Sequence, residues 1–225
     1  MLQGAANSQH YKGTGPGGNQ RLRYRIWILS LLVCIPAIAV AFAYFDVPVA
    51  RRMYGILGSA ESLATGFASA VLLSIEAAIV LALVILRITR GRLSPFREAT
   101  VLACLTSICA YAINDSALKF FFGVPNPGAM FHGASHAFNL LGGSARCSFP
   151  SGHMVLAGAF AGVFMRLYRT SILPLSVLLL VAAVLLIVGD WHFVSDVIAG
   201  AFAGVSAGLL AGELWLAHSN GASRD

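Results

Sequence analysis

The sequence predicts an all-α polytopic membrane protein with six transmembrane helices in one bundle. Hydrophobic residues make up 58% of the 225 residues and charged residues only 11%, whereas soluble domains carry roughly 25% charged residues. The apolar residues also come in long runs, which is typical of membrane spans rather than of a large soluble core. A chain of this length accommodates a single helical domain of about six spans.

Six apolar runs reach or approach the ~20 residues that a helix needs to cross the hydrocarbon layer. The predicted spans are Ile26–Phe45, Gly66–Leu86, Ala99–Leu118, His153–Leu167, Ile172–Gly189 and Val194–Leu216. The fourth and fifth are short, and we expect them to depend on close packing with their neighbours. Residues 1–22 are rich in Gly, Asn and Gln and predict a disordered cytoplasmic N-terminus. The membrane domain then covers residues 23–217, and residues 218–225 form a cytoplasmic tail.

Lysine and arginine fall unequally on the two sides of these spans, which predicts their direction. With the N-terminus in the cytoplasm, that side receives eleven of the fifteen: Lys12, Arg21, Arg23, Arg25, Arg87, Arg90, Arg92, Arg97, Arg166, Arg169 and Arg224. The other side receives Arg51, Arg52, Lys119 and Arg146. Both termini are therefore expected inside. The formal charge of +6, scattered at helix ends, favours contact with anionic lipid headgroups over nucleic acid.

Glycines recur every four residues in the last span, at Gly200, Gly204, Gly208 and Gly212. The fourth span has a shorter stripe of the same kind, formed by two glycines that are also four residues apart. Such stripes let another helix approach closely. We therefore expect the fourth and sixth spans to pack tightly together.

Alternation of six spans places Lys119, His153, His192 and Asp196 at the same water boundary. His192 and Asp196 are one helical turn apart, so that both side chains lie on one face if the helix begins there. A carboxylate in this position fixes the tautomer of an imidazole and stabilises its charged form. The alternative is that both residues merely cap the start of a helix.

Pro150-Ser151-Gly152-His153 opens the fourth span. A serine N-cap followed by glycine leaves backbone N–H groups open at a helix N-terminus, which attracts phosphate. His153, on the same turn, is placed to donate a proton to a leaving oxygen. The alternative is a capped helix start after a proline turn.

The segment Phe120–Phe149 before this span is long for a helix connection, which is typical of a lid or a substrate guide. It contains His132 and His136 at a spacing that suits a metal on a helix. No third ligand lies close in sequence, so we expect no metal site there.

These strings resemble the signature of the type 2 phosphatidic acid phosphatase superfamily, K-x6-R-P, P-S-G-H and S-R-x5-H-x3-D. The second part matches in full at Pro150 to His153, the third at His192 and Asp196, and the first at Lys119 and Pro127. Two arginines of the signature are replaced, because Asn126 stands in the first part and Leu185-Leu186 stand for Ser-Arg in the third.

The resemblance implies a role for each matching residue. His192 would be the nucleophile that takes the phosphoryl group, with Asp196 orienting it. His153 would protonate the leaving alcohol and later help water to attack the phosphohistidine. The equatorial oxygens of the phosphate would be held by Lys119, Ser151 and the Gly152 backbone N–H. No metal and no cofactor is required.

Arg146 is the other basic residue of the long outer loop and lies five residues before Ser151. We expect it to replace one of the missing arginines, because a guanidinium offers paired donors that lysine cannot. The alternative is an arginine at headgroup level that binds lipid phosphate nonspecifically.

The function that the resemblance implies is hydrolysis of a lipid phosphate or diphosphate monoester in a bacterial inner membrane, with the site facing the periplasm. The expected partners are the lipid phosphate substrate and the surrounding membrane lipids. Two alternatives remain open. One is a transferase of a phosphoryl group or phospho-headgroup between lipids, and the other is a non-catalytic binder of lipid phosphates on the same scaffold. The sequence chooses neither the lipid nor the oligomeric state.

Overall fold

A computed structural model of the chain describes residues 18–57 and 62–221, and every regular element within these ranges is helical. The α-helices are α1 (Gly18–Val40), α2 (Asp46–Leu57), α3 (Ser62–Arg90), α4 (Pro95–Ile113), α5 (Lys119–Phe122), α6 (Pro127–Phe131), α7 (Gly152–Leu167), α8 (Ile172–Val188) and α9 (Val194–Gly221). The prediction of an all-α fold is confirmed. Much of the predicted disordered N-terminus and part of the predicted tail lie outside the described residues.

Two turns of π-helix interrupt the long helical segments. One, Ala41–Phe45, joins α1 to α2, and the other, Asn114–Leu118, joins α4 to α5. Each ends directly before a buried charged residue, Asp46 and Lys119 respectively. Turns of this kind occur often at functional sites, since the inserted residue re-aims the side chains that follow.

Five helical segments are long and apolar enough to cross a bilayer, Tyr24–Ile56, Ala68–Arg90, Pro95–Phe131, Arg169–Val188 and Val194–Ser219. They cover, to within two residues at the ends that fall short, five of the six predicted spans, which identifies a multi-pass helical membrane protein. The remaining predicted span is α7, which has 16 residues. At 1.5 Å per residue it is about 24 Å long, shorter than the ~30 Å hydrocarbon layer. Helix length therefore establishes five spans and not six.

The short helix α7 lies at the centre of the bundle and packs mainly against α9 and α4. The glycines of α9 make this contact possible. A Cβ atom on Gly204 would lie 2.4 Å from the Val155 carbonyl oxygen, and one on Gly208 would lie 2.2 Å from the Ala159 oxygen. Only glycine permits so close an approach of two backbones. The expected tight packing of the two histidine-bearing spans is confirmed.

Large apolar side chains face outward on the helices that surround α7. On α8, for example, Leu173, Leu178, Leu180 and Leu185 are each more than half exposed. In water such a surface would be costly, whereas in a bilayer lipid tails are its natural solvent. The polar interior of the protein is instead concentrated at one end of the bundle.

That end is formed by the start of α3, the end of α4, the starts of α7 and α9, and the long connection between α6 and α7. Alternate amides of this connection donate to carbonyls along α5, from Asn139 to Phe122, Leu141 to Phe121 and Gly143 to Phe120. At the opposite end of the bundle, Arg166 Nε and Glu213 Oε2 form an ion pair at 2.5 Å.

Candidate active site

Two histidines meet where α7 and α9 begin. His153 is the second residue of α7, and His192 lies two residues before α9. His153 Nδ1 and His192 Nε2 are 3.3 Å apart. The prediction that these residues gather at one end of the bundle is therefore confirmed by their distance.

Asp196 lies on the other side of the His192 ring. Its Oδ2 is 3.5 Å from His192 Nδ1, and the same oxygen accepts the Phe193 N–H at 2.8 Å. The side chain is fully buried. The carboxylate thus caps the start of α9 and also faces the imidazole. The capping role and the role beside His192, which the sequence left as alternatives, are compatible. His192 Nδ1 makes no hydrogen bond among the described residues, so the carboxylate acts through its nearby charge, which favours the proton on Nδ1 and leaves Nε2 without one.

Lys119 brings a positive charge to the same place. Its Nζ donates to Asp115 Oδ1 at 2.7 Å and to the Ala145 carbonyl oxygen at 3.1 Å. A Cβ atom built on Gly152 would lie 3.7 Å from this Nζ. The ammonium group is therefore next to the start of α7.

The turn that opens α7 is fixed by buried polar contacts. Asn114 Nδ2 donates to the Pro150 carbonyl oxygen at 3.1 Å, and Ser151 Oγ accepts the Met154 N–H at 3.4 Å. Ser151 is fully buried and acts as the N-cap, so its direct contact with phosphate stays a prediction. The Gly152 N–H makes no hydrogen bond within the described ranges, as is usual in a first helical turn that is open to an anion.

A model of the PAP2 superfamily matches residues 99–218, more than half of the chain. The match runs from within α4 to the last turn of α9 and includes both histidines, Asp196 and Lys119. The chain belongs to the PAP2 superfamily. It has no significant match to a curated protein or to a solved structure.

Asn126, which is expected from its spacing to occupy the place of the first signature arginine, has its side chain engaged in the fold. It caps α6 by accepting the Ala129 N–H at 2.7 Å, and its Nδ2 donates to the Arg146 carbonyl oxygen at 3.3 Å. Lys119 binds the carbonyl of the preceding residue. Lys119 and Asn126, both in the first signature segment, therefore hold the backbone at Ala145 and Arg146.

The Arg146 side chain itself is exposed, and its guanidinium makes no hydrogen bond or ion pair within the described part of the chain. Its expected role in gripping phosphate stays a prediction. The backbone of this segment is held by Lys119 at Ala145 and by Asn126 at Arg146, and this is the observation that supports the prediction.

Leu185 and Leu186 are expected from their spacing to occupy the places of Ser-Arg in the signature. Leu185 points outward and is 65% exposed, whereas Leu186 is buried in an apolar cluster with Met154 and Val197. This position therefore supplies packing between α7, α8 and α9 instead of a cation.

Two contributors from outside the matched PAP2 region were not found from the sequence. Ser69 Oγ on α3 lies 3.0 Å from His153 Nε2, so a hydroxyl faces the nitrogen opposite the one that meets His192. Asp46 on α2 binds the start of α9. A serine in an apolar run carries no signal, and Asp46 directly follows the predicted end of the first span, where a carboxylate is the ordinary residue of a water boundary.

Proposed function

We propose that this PAP2 protein is a metal-independent integral membrane phosphatase that hydrolyses a lipid phosphate or diphosphate monoester through a phosphohistidine. Membership of the superfamily supports a phosphatase-type activity. The observation that carries the proposal is the row His153–His192–Asp196, with contacts of 3.3 and 3.5 Å, beside the Lys119 ammonium.

In the first step, the lone pair on His192 Nε2 attacks phosphorus, and the bond from phosphorus to the leaving oxygen breaks. The electron pair goes to that oxygen, and His153 delivers a proton to it. Lys119 and the Gly152 N–H are placed to stabilise the charge on the equatorial oxygens, where phosphoryl transfer concentrates it. Asp196 stabilises the positive imidazole ring that results.

In the second step, water attacks the phosphohistidine and gives a proton to His153, which is neutral after the first step. The bond between nitrogen and phosphorus breaks, and its electron pair returns to His192 Nε2. Phosphate leaves with the oxygen of water, so that both histidines regain their starting states. Ser69 is placed to set which nitrogen of His153 carries the proton, because it faces Nε2 at 3.0 Å.

A lipid substrate and a periplasmic site are the finer parts of the proposal. The site lies at one end of a bundle whose sides are apolar, where a headgroup is reached from the bilayer surface. The partition of Lys and Arg supports N-in, C-in topology, which requires α7 to cross as a sixth, short span inside the bundle. In a bacterial inner membrane this topology puts the histidines on the periplasmic side.

The test is phosphate release by the purified protein from a panel comprising phosphatidate, phosphatidylglycerophosphate, polyprenyl diphosphate and lipid A, with EDTA present throughout. We expect release from at least one of them and none from His192→Ala. Activity that disappears in EDTA and returns with Mg²⁺ would contradict the metal-independent mechanism.

A transferase is the second candidate, because Asn126 and Leu186 replace the arginines that would grip the phosphate of the donor. The two functions differ in where labelled phosphate goes. If the label appears on a second lipid acceptor and not in free phosphate, the protein is a transferase. If no donor lipid is turned over, the protein is a non-catalytic binder of lipid phosphates.

A further inference from the structure

Asp46 is a charged residue that is almost fully buried, at 1% exposure, at the start of α2. Its Oδ1 accepts the Ser195 N–H at 2.9 Å, and its Oδ2 accepts the Ser195 hydroxyl at 2.5 Å. Ser195 is the second residue of α9, so its N–H is one of the donors that a helix start leaves without a partner. Asp46 supplies that partner from another helix.

The same carboxylate faces the long connection between α6 and α7. His136 Nε2 lies 3.3 Å from Asp46 Oδ2, and the His136 side chain is 8% exposed. This imidazole stacks on Phe42 with ring centres 4.2 Å apart and meets the edge of Phe193 at 4.4 Å. His136 Nε2 makes no hydrogen bond among the described residues, so this contact is one of proximity. The start of α9 and the connection therefore both meet the carboxylate that α2 carries.

The position of Ser195 in the chain connects the contacts of Asp46 to the candidate active site. Ser195 lies between His192, three residues before it, and Asp196, which follows it directly. The two π-helical turns of the structure precede Asp46 and Lys119, so the same local distortion aims both charged residues toward this end of the bundle. No contact joins Asp46 to either histidine of the site among the described residues, so it acts on them through Ser195 and, by way of His136, through Phe193.

We propose that Asp46 is a positioning residue that holds the start of α9, and with it His192 and Asp196, in register with His153. Through His136 it also fastens the connection that carries Arg146. The inference rests on the proposed function for its effect on turnover, whereas the tie itself is testable without activity. It gives the N-terminal helices, which lie outside the matched region, a part in the site.

Turnover tests the effect on chemistry. Asp46→Asn keeps the size and one acceptor but places an amide N–H₂ where Oδ2 accepted the Ser195 hydroxyl. We expect kcat to fall about tenfold to a hundredfold, as small displacements of reacting groups do, with KM changed by less than about twofold. Ser195→Ala should lower kcat in the same way but less, and the double variant should show less than the sum of both effects. Glu213→Gln is the matched control, because it breaks an ion pair between α7 and α9 at the far end of the bundle.

Amide hydrogen exchange, followed by mass spectrometry, tests the tie. In Asp46→Asn and Ser195→Ala, peptides covering residues 193–197 should exchange faster than in the parent, and in Glu213→Gln they should not. Peptides covering residues 132–145 should exchange faster in Asp46→Asn and in His136→Phe, which keeps the ring contacts. Ser195→Ala and His136→Phe keep the test decisive if Asp46→Asn does not fold.

Unchanged exchange in the folded variants would reject the tie, and faster exchange with unchanged kcat would reject the positioning role. If the parent protein itself hydrolyses no lipid phosphate, the proposed function and the effect on turnover fall together, while the exchange result stands by itself.

Discussion

His192 is held between two groups that treat its two nitrogens differently. Asp196 faces Nδ1 at 3.5 Å and His153 faces Nε2 at 3.3 Å, so the nitrogen with the free lone pair is the one that meets the other histidine. We predict that His192→Ala abolishes turnover and phosphohistidine formation. Asp196→Asn should keep binding but lower kcat strongly, on the order of 10⁴-fold by analogy with triad carboxylates. Acid-labile ³²P on the protein and the rate of phosphate release check both, and near-normal activity of His192→Ala would show the mechanism to be wrong.

Arg146 lies on a segment whose backbone Lys119 and Asn126 hold in place, and its side chain is exposed. We predict that Arg146→Lys loses on the order of a hundredfold in kcat, because lysine cannot supply the paired donors of a guanidinium. Steady-state kinetics on one lipid phosphate measures the loss. A lysine variant equal to the parent would leave Arg146 as a headgroup contact only.

Asp190 lies in the turn between α8 and α9 and is 6% exposed, with no partner for its Oδ1 within the described residues. Burial raises its pKa from 3.8 to about 6. The folded protein therefore holds this proton more tightly than the unfolded chain, and its stability falls as pH rises from about 4 to 6. We predict that Asp190→Asn raises the apparent Tm at pH 8 by a few degrees.

The control for this prediction is the same comparison at pH 4.5, where most of the gain should be absent because the parent is largely protonated. Asparagine tolerates the left-handed backbone that Asp190 adopts at φ 56°, so the substitution introduces no strain of its own. An equal gain at both pH values would mean that the carboxylate charge is not the cause.

At the scale of helices, hydropathy located the membrane runs but not their full extent. The second predicted span, Gly66–Leu86, continues as α3 to Arg90, and the first continues through the π-helical turn into α2. Helices continue past the hydrocarbon layer into the polar headgroup region, where their residues are no longer apolar and hydropathy does not detect them. The π-helical turns leave no pattern in the sequence, because a single extra residue in a turn does not change composition.

Gly208 tests the packing on which α7 depends. A Cβ atom there would lie 2.2 Å from the Ala159 oxygen and 2.8 Å from the Gly162 Cα, so backbone atoms of α7 would have to move. We predict that Gly208→Ala lowers the apparent Tm strongly or prevents accumulation of folded protein, as overpacking of a close interface does. Detergent-solubilised yield and thermal melting provide the measurement.

Gly55 is the matched control for this substitution. It lies within α2, and a methyl group added there would meet no neighbouring atom within 4 Å. Gly55→Ala should be neutral or stabilise by up to about 1 kcal/mol, because alanine restricts the unfolded chain more than glycine does. Equal behaviour of the two variants would mean that the contact between α7 and α9 does not require glycine.

For the whole molecule, the sequence predicted which residues gather but not what supports them. Alternation of spans was enough to bring Lys119, His153 and His192 to one end, since it needs only span number and direction. Ser69 and Asp46 act across 84 and 149 positions of the chain. Such pairings depend on helix rotation and tilt, which no local pattern encodes. The family resemblance likewise included the signature motifs of the site but not the N-terminal helices α2 and α3, which contribute Asp46 and Ser69.

Sidedness is the prediction that belongs to the whole molecule. The partition of Lys and Arg places the histidine end outside, so an impermeant maleimide should label Ser135→Cys in cells whose inner membrane is intact, with all four native cysteines replaced. Ser135 is exposed on the connection at the histidine end, whereas Gly143 is unsuitable because a side chain there would lie 2.0 Å from the Lys119 oxygen. Ser219→Cys, exposed at the other end of α9, should react only after the inner membrane is permeabilised. The reverse pattern would put the site in the cytoplasm without separating the residues that form it, because the charge bias decides the compartment and the helix packing decides the gathering.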